Sequence, residues 1–91
     1  MTQTLDLDFS KVELLRTRLG LSTTDVASAM DVSRMTYYLW VRGKPMRPAN
    51  ANRVKRVVKV LLDLLKSKEW EEEVKPLPAL QRRERLLALI G

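Results

Sequence analysis

A short pattern that recurs three times in the first 37 residues constrains the fold of this chain more than any other feature. Each copy has an apolar residue, then a serine, then an apolar residue four positions after the serine. The copies are F-S-K-V-E-L (9–14), L-S-T-T-D-V (21–26) and V-S-R-M-T-Y (32–37). Such a serine can accept a hydrogen bond from a backbone N–H of a first helical turn, and the apolar pair can pack as a hydrophobic staple. The pattern therefore predicts three helix starts.

The ends of these helices are also marked. Gly20 and Gly43 stand where a left-handed residue would stop the first and third helices, and Glu13 and Asp25 lie three residues after their serines, in capping-box position. We expect helices at about 11–19, 23–30 and 34–42.

The links between the three helices are so short that neighbouring helices must pack against each other. Apolar residues at helical spacing give each helix one inward face. These faces are Val12, Leu15 and Leu19 in the first helix, Val26, Ala27 and Met30 in the second, and Tyr37, Trp40 and Val41 in the third.

The rest of the chain also predicts helices. Residues 44–50 form a proline-broken loop, and Asn50 can cap a fourth helix at about 51–67 with a broad apolar stripe. A polar connector follows, in which Trp70 and Val74 could still pack. It leads to Pro78, which we place at the start of a last helix at about 79–90. Strand alternation and hairpin turns are absent from the sequence. The fold class is therefore all-α, with four to five helices.

Charge is distributed unevenly along the chain. The 91 residues carry 17 basic and 11 acidic side chains, for a net charge of +6. Residues 33–60 hold eight of the basic residues and no acid. A segment of one sign indicates a polyanionic partner, with nucleic acid as the first candidate and an anionic membrane as the second.

The composition excludes several kinds of site. The chain has no cysteine and no histidine, which rules out disulfides, thiolate zinc sites and a nucleophile–histidine pair made within this chain. The acidic start, MTQTLDLDFS, does not resemble a secretory signal, and no apolar run approaches the roughly 20 residues of a membrane-spanning helix. We expect a cytoplasmic protein of a bacterial or phage-infected cell that is not an enzyme and holds no metal or cofactor.

Residues 10–62 resemble the Cro/C1-type (XRE-like) helix-turn-helix family of DNA-binding regulators, which have a lambda-repressor-like fold. The matching motifs are L-R-x-x-L-G-L-S (15–22), V-A-S-A-M (26–30), V-S-R-M-T (32–36) and W-V-R-G-K (40–44). The resemblance implies that the third helix enters the major groove of DNA while the second crosses the backbone. It divides the chain into an N-terminal segment (1–9), the helix-turn-helix domain (10–67), a connector (68–78) and a C-terminal helix (79–91).

The resemblance also assigns roles to individual residues. It places Ser33, Arg34, Met35, Tyr38 and Leu39 in the groove, and helical periodicity adds Arg42 to the same side. It places Thr23, Thr36, Lys44 and Arg47 near phosphates. Arg34 is the strongest candidate for base recognition, because its guanidinium can donate two bonds to guanine O6 and N7. Met35 and Leu39 could meet thymine methyl groups.

Two positions depart from the family pattern. Asp31 stands at the turn where the family often has glycine, although aspartate tolerates a left-handed backbone better than most residues. Val41 stands where the family often has an acid that pairs with an arginine. We therefore expect Arg16 to lack an internal ion pair, which would leave it free to reach solvent or phosphate.

Several of these residues have simpler interpretations. Tyr37 and Trp40 are predicted to be core residues that do not stack on bases. Met35 and Leu39 could pack against the N-terminal segment or another subunit. Arg53, Arg56 and Lys59 could form a solvated helix face as well as a DNA contact, and the glutamates at 71–73 are expected to be a solvated connector.

A single helix recognises only a few base pairs, so proteins of this kind usually bind DNA as dimers. The C-terminal helix is a candidate for dimerisation through Leu80, Leu86, Leu87 and Ile90. Alternatively, it completes the core of its own monomer. A third interpretation, a membrane-surface helix, is disfavoured by Glu84, by the helix's short length and by the missing aromatic anchor.

The leading hypothesis is a sequence-specific regulator of transcription that binds double-stranded DNA. It would be a homodimeric repressor, of phage or mobile-element type, that recognises a short palindromic operator through helix 34–42. One alternative is the antitoxin of a toxin–antitoxin pair, with residues 67–91 binding the toxin; a co-regulator is another possible protein partner. A further alternative is a non-specific architectural or RNA-binding protein, which would bind unrelated duplexes equally.

Overall fold

The structure, a computed structural model, describes residues 8–91, and this part of the chain is all-helical, as predicted. It contains α1 (Phe9–Arg18), α2 (Thr23–Ala29), α3 (Arg34–Val41), α4 (Pro48–Leu64), a π-helical turn (Trp70–Val74) and α5 (Ala79–Ile90). Residues 1–7 of the predicted N-terminal segment (1–9), and of the start on which the prediction about a secretory signal rests, lie outside the described residues, whereas Phe9 belongs to α1. No helix within residues 8–91 combines the length and the apolar character needed to cross a membrane.

Helices α1, α2 and α3 all end in the same way, with a residue of positive φ. Gly20 and Gly43 take this position after α1 and α3, as predicted, and Asp31 takes it after α2 with φ of 61°. Beyond Asp31, the N–H of Val32 donates to the carbonyl of Ala27 at 3.0 Å. This bond closes a Schellman motif and turns the chain sharply between α2 and α3.

The helix starts follow the sequence prediction in part. Ser22 and Asp25 form the predicted capping box, and Ser33 caps α3. The predicted cap of α1, Ser10, is wrong. The cap is Asp8, whose side chain accepts the N–H of Ser10, so the helix begins earlier. The predicted cap of α4, Asn50, is also wrong, since that helix begins before it.

Helix α4 begins at Pro48 and its cap residue, Arg47, makes no side-chain cap bond. A proline fits the first helical position because its missing N–H would have no partner there. The helix therefore starts two residues before Asn50.

The core is built from the predicted inward faces and from the C-terminal part of the chain. Leu15 and Val41 are half-buried against it, and the other predicted inward residues of α1, α2 and α3 are buried. The same cluster includes Trp70 and Val74 of the π turn. The indole N–H of Trp70 donates to the carbonyl of Leu19 at 3.0 Å, so the connector is part of the packed interior.

Helix α5 completes the core of its own monomer. Leu86 is fully buried, Ile90 is nearly so, and Leu87 packs half-buried against them. Leu86 and Ile90 are thus buried within the monomer, where α5 contacts α2 and α4, and a dimer contact through them stays a prediction. Leu80 is exposed, and its role in dimerisation stays a prediction.

An ion pair that was not predicted from the sequence joins α5 to the start of α2. The Asp25 carboxylate is fully buried and accepts a hydrogen bond from Arg83 Nε at 2.7 Å. Arg82 Nε lies 3.9 Å from the same carboxylate. Asp25 thus caps α2 and also holds the C-terminal helix in place.

Arg53 has a structural role that neither interpretation of the basic α4 face included. Its Nε donates to the carbonyl of Ala29 at 2.8 Å, and its Nη1 lies 3.3 Å from the carbonyl of Gly91. The guanidinium therefore binds the ends of α2 and α5. Arg56 and Lys59 are exposed.

Candidate nucleic-acid interface

Helix α3 is anchored by aromatic side chains that face the core. Tyr37 and Trp40 are both buried, which confirms their predicted place. The ring of Phe9 on α1 lies 5.9 Å from the ring of Tyr37, edge to face, and 5.6 Å from that of Trp40. Aromatic pairs in this arrangement add to the stability gained from burial alone, so one side of α3 is fixed to α1.

A polar link also joins α3 to α1. The Tyr37 hydroxyl donates to Glu13 Oε2 at 2.6 Å, and Arg16 donates to both oxygens of Glu13, at 2.8 and 3.0 Å. The hydrogen bond from Arg16 lowers the pKa of the Glu13 carboxyl, and the bond from Tyr37 adds to this against the opposing effect of burial. Burial, with a further contribution from Glu13, raises the pKa of Tyr37, which keeps its hydroxyl a donor.

The prediction that Arg16 lacks an internal ion pair is wrong. Arg16 pairs with Glu13, which lies three residues before it on the same helix. Residues at this spacing are neighbours on a helix surface, which is the signal that could have revealed the pair. Arg16 Nη1 also donates to the carbonyl of Leu21 at 2.9 Å. A phosphate contact by Arg16 stays a prediction and would compete with these bonds.

The side of α3 opposite the aromatic anchors is exposed. Five predicted groove residues lie there, and we call them the outer face: Arg34, Met35, Tyr38, Leu39 and Arg42. Met35 is 70% exposed. Met35, Leu39 and Arg42 share one line along the helix, at spacings of four and three residues. Their contact with DNA stays a prediction, and so does the alternative that Met35 and Leu39 pack against the N-terminal segment or another subunit.

A cavity of about 410 Å³ lies between α3 and the loop that follows it. Its lining brings together Ser33, Thr36, Leu39, Lys44 and Arg47, all of which were predicted from the sequence as groove or phosphate residues. Thr23, at the first position of α2, and Arg16 do not line it.

Asn50 also lines this cavity and was not predicted as a site residue. Its amide can both donate and accept hydrogen bonds. The sequence assigned Asn50 to the cap of α4, and the earlier start of that helix at Pro48 frees it for the cavity.

The hydroxyls of Ser33 and Thr36 differ in the hydrogen bonds that they can still form with a ligand. Ser33 Oγ accepts the N–H of Thr36 at 3.1 Å and donates its own proton to Thr36 Oγ1 at 3.1 Å. The Ser33 hydroxyl is therefore occupied in capping α3. The Thr36 hydroxyl accepts in this pair, and its proton can be donated to an anionic oxygen in the cavity.

The candidate interface is basic. Arg34, Arg42, Lys44 and Arg47 are exposed, and none of them forms an ion pair within residues 8–91. Four uncompensated cations within 14 residues of sequence produce a positive field that attracts polyanions. The described residues contain no cluster of three or more acidic side chains that could hold a metal ion.

Comparison of this chain with known protein families, curated proteins and solved structures gives no match.

Proposed function

We propose that the protein is a sequence-specific, double-stranded DNA-binding regulator of transcription, in which α2 and α3 act as a helix-turn-helix. The observation that carries the proposal is the outer face, which combines exposed arginine, methionine, leucine and tyrosine side chains on a helix fixed from behind by buried Tyr37 and Trp40. An α-helix fits the major groove, where each base pair displays its own pattern of donors, acceptors and methyl groups.

In this proposal some side chains recognise bases and others bind phosphates to position the helix. Arg34 donates two hydrogen bonds to a guanine, while Met35 and Leu39 contact thymine methyl groups. Thr36, Lys44 and Arg47 bind phosphate oxygens at the cavity beside α3, which fixes the position of the helix without distinguishing sequences.

A rigid α3 matters to this function. Hydrogen bonds to base edges discriminate only when the donor is held in place, and each good pair of bonds contributes about 1–3 kcal/mol of discrimination. The aromatic contacts of Phe9 and the Tyr37–Glu13 hydrogen bond hold α3 at its inner side. The turn at Asp31 sets its direction relative to α2.

In this proposal the protein binds its operator as a homodimer, because the outer face of one α3 spans only a few base pairs. A dimer would present two α3 helices to successive major grooves on a palindrome. Occupation of such a site at a promoter would block polymerase, which makes repression the proposed mode of regulation.

The test is selection of bound duplexes from a pool with a random central segment, followed by affinity measurement at fixed salt. We expect one short, palindromic sequence to be enriched and to bind about a thousandfold or more tighter than an unrelated duplex. A pool that stays random after repeated rounds, with equal affinity for all duplexes, would refute sequence-specific recognition and would favour a non-specific architectural role.

A further inference from the structure

A groove that shares no residue with the outer face exposes leucine side chains that the fold does not cover. Leu14 on α1 is 60% exposed, and Leu62 and Leu65 at the end of α4 are 49% and 43% exposed. Together with Leu15 they line a cavity of about 400 Å³ between the two helices. Its remaining lining residues, Lys11 and Arg18, are both basic. We call this surface the α1–α4 groove.

The α1–α4 groove has no part in the proposed recognition of DNA. None of its lining residues belongs to the outer face or to the cavity beside α3. Clustered, exposed apolar side chains with a polar rim mark interaction sites more often than isolated ones do. We propose that the groove is a docking site for an acidic amphipathic helix of a partner protein.

The apolar floor fits a helix as the occupant. Leucines from both helices, Leu14 and Leu15 on α1 and Leu62 and Leu65 on α4, line the groove, and an amphipathic helix can lay its apolar face into a groove of this kind. Burying Leu14, Leu62 and Leu65 would remove their apolar surface from water, which favours association.

The charge around the groove selects an acidic occupant. Lys11 and Arg18 stand on the α1 side, and the exposed Lys59 lies one turn before Leu62 on α4. Asp63 is exposed nearby and does not line the groove. Complementary charge across an interface speeds association and excludes wrong partners.

A second copy of this chain is disfavoured by the same charges. In a two-fold symmetric contact the same patch lies on both sides, so the cations of one groove would face those of the other. The net charge of +6 adds to this repulsion.

The test uses two synthetic amphipathic helical peptides with identical leucines, one with glutamate and one with lysine at every flanking position. Binding to the full chain is measured by fluorescence anisotropy at low salt. We expect the glutamate peptide to bind at least tenfold more tightly than the lysine peptide. A Lys11→Glu/Arg18→Glu double variant should reverse that preference, which a merely structural role of these residues would not do.

Two single variants locate the binding site. Leu14→Glu should abolish binding of the glutamate peptide, while Leu89→Glu, at an exposed leucine outside the groove, should leave it unchanged. Thermal melts of both variants check that each is folded. Leu14 and Leu89 lie outside the outer face, the cavity beside α3 and the predicted dimer contact. Operator affinity should therefore be the same in these two variants, and the proposed function is tested separately.

Three outcomes would overturn the proposal. Equal binding of both peptides, or of neither, would remove the preference for an acidic partner. A dimer in sedimentation that Leu14→Glu dissociates would assign the groove to a second copy. Peptide binding that occurs only after deletion of residues 1–7 would assign it to the chain's own N-terminal segment.

Discussion

At the scale of single residues, Glu13 links the two helices that position the outer face. It accepts hydrogen bonds from Arg16 on its own helix and from the Tyr37 hydroxyl on α3. The sequence predicted a capping role instead, because Glu13 follows Ser10 at the same distance as Asp25 follows Ser22. That prediction failed because Asp8 starts α1 before Ser10 can cap it. The place of Tyr37 was predictable from periodicity, whereas its partner depended on how α1 and α3 pack.

The protein should lose stability in acid through Glu13. The pKa of Glu13 in the folded chain is lowered from its ordinary 4.5, first by the bond from Arg16 and then by that from Tyr37. The folded state therefore binds its proton less readily than the unfolded state does, so the stabilisation is present above pH 4.5 and is lost as the pH falls through the lowered pKa.

A Glu13→Gln variant should lack this part of the acid dependence. Urea denaturation at a series of pH values should show the unfolding free energy of the natural chain falling more steeply below pH 4.5 than that of the variant. Parallel curves would mean that Glu13 does not carry the coupling between α1 and α3.

At the scale of helices, local signals and long-range packing were predictable to different degrees. The starts and stops of α2 and α3 depend on Ser22, Ser33 and the turn residues that follow each helix, and the sequence placed both helices within a residue or two. The Asp25–Arg83 ion pair joins residues 58 positions apart, and no local pattern indicates such a contact. The role of α5 was therefore left open between the core and a dimer contact.

The π turn should contribute substantially to stability. Trp70→Ala removes a buried indole and its hydrogen bond to Leu19, and it should lower the free energy of unfolding by about 3–5 kcal/mol. Glu72→Ala, at an exposed position of the same turn, is the matched control and should change it by less than about 0.5 kcal/mol. Chemical denaturation measures both. Similar, small losses in the two variants would contradict a stabilising role of Trp70 in the core.

At the scale of the whole molecule, one core supports two exposed surfaces of different character. The outer face of α3 was predictable, because buried Tyr37 and Trp40 leave the opposite side of a helix to solvent. Most of the polar residues that line the cavity beside it were predicted as site residues, but the cavity itself was not. It forms because the path of the loop after Gly43 brings Lys44 and Arg47 to the side of Thr36. The α1–α4 groove was not predicted, because it depends on how α1 and α4 pack against each other, and these helices lie far apart in the sequence.

The most direct test of DNA recognition by the outer face compares two variants on two duplexes at fixed salt. The duplexes are the sequence enriched by selection and an unrelated one, and the variants are Arg34→Ala and the matched control Lys44→Ala. Arg34→Ala should weaken binding to the enriched duplex by about tenfold or more and change binding to the unrelated duplex little. Lys44→Ala should weaken both alike and reduce the salt slope by about one. An equal loss on both duplexes for Arg34→Ala would contradict base recognition by α3.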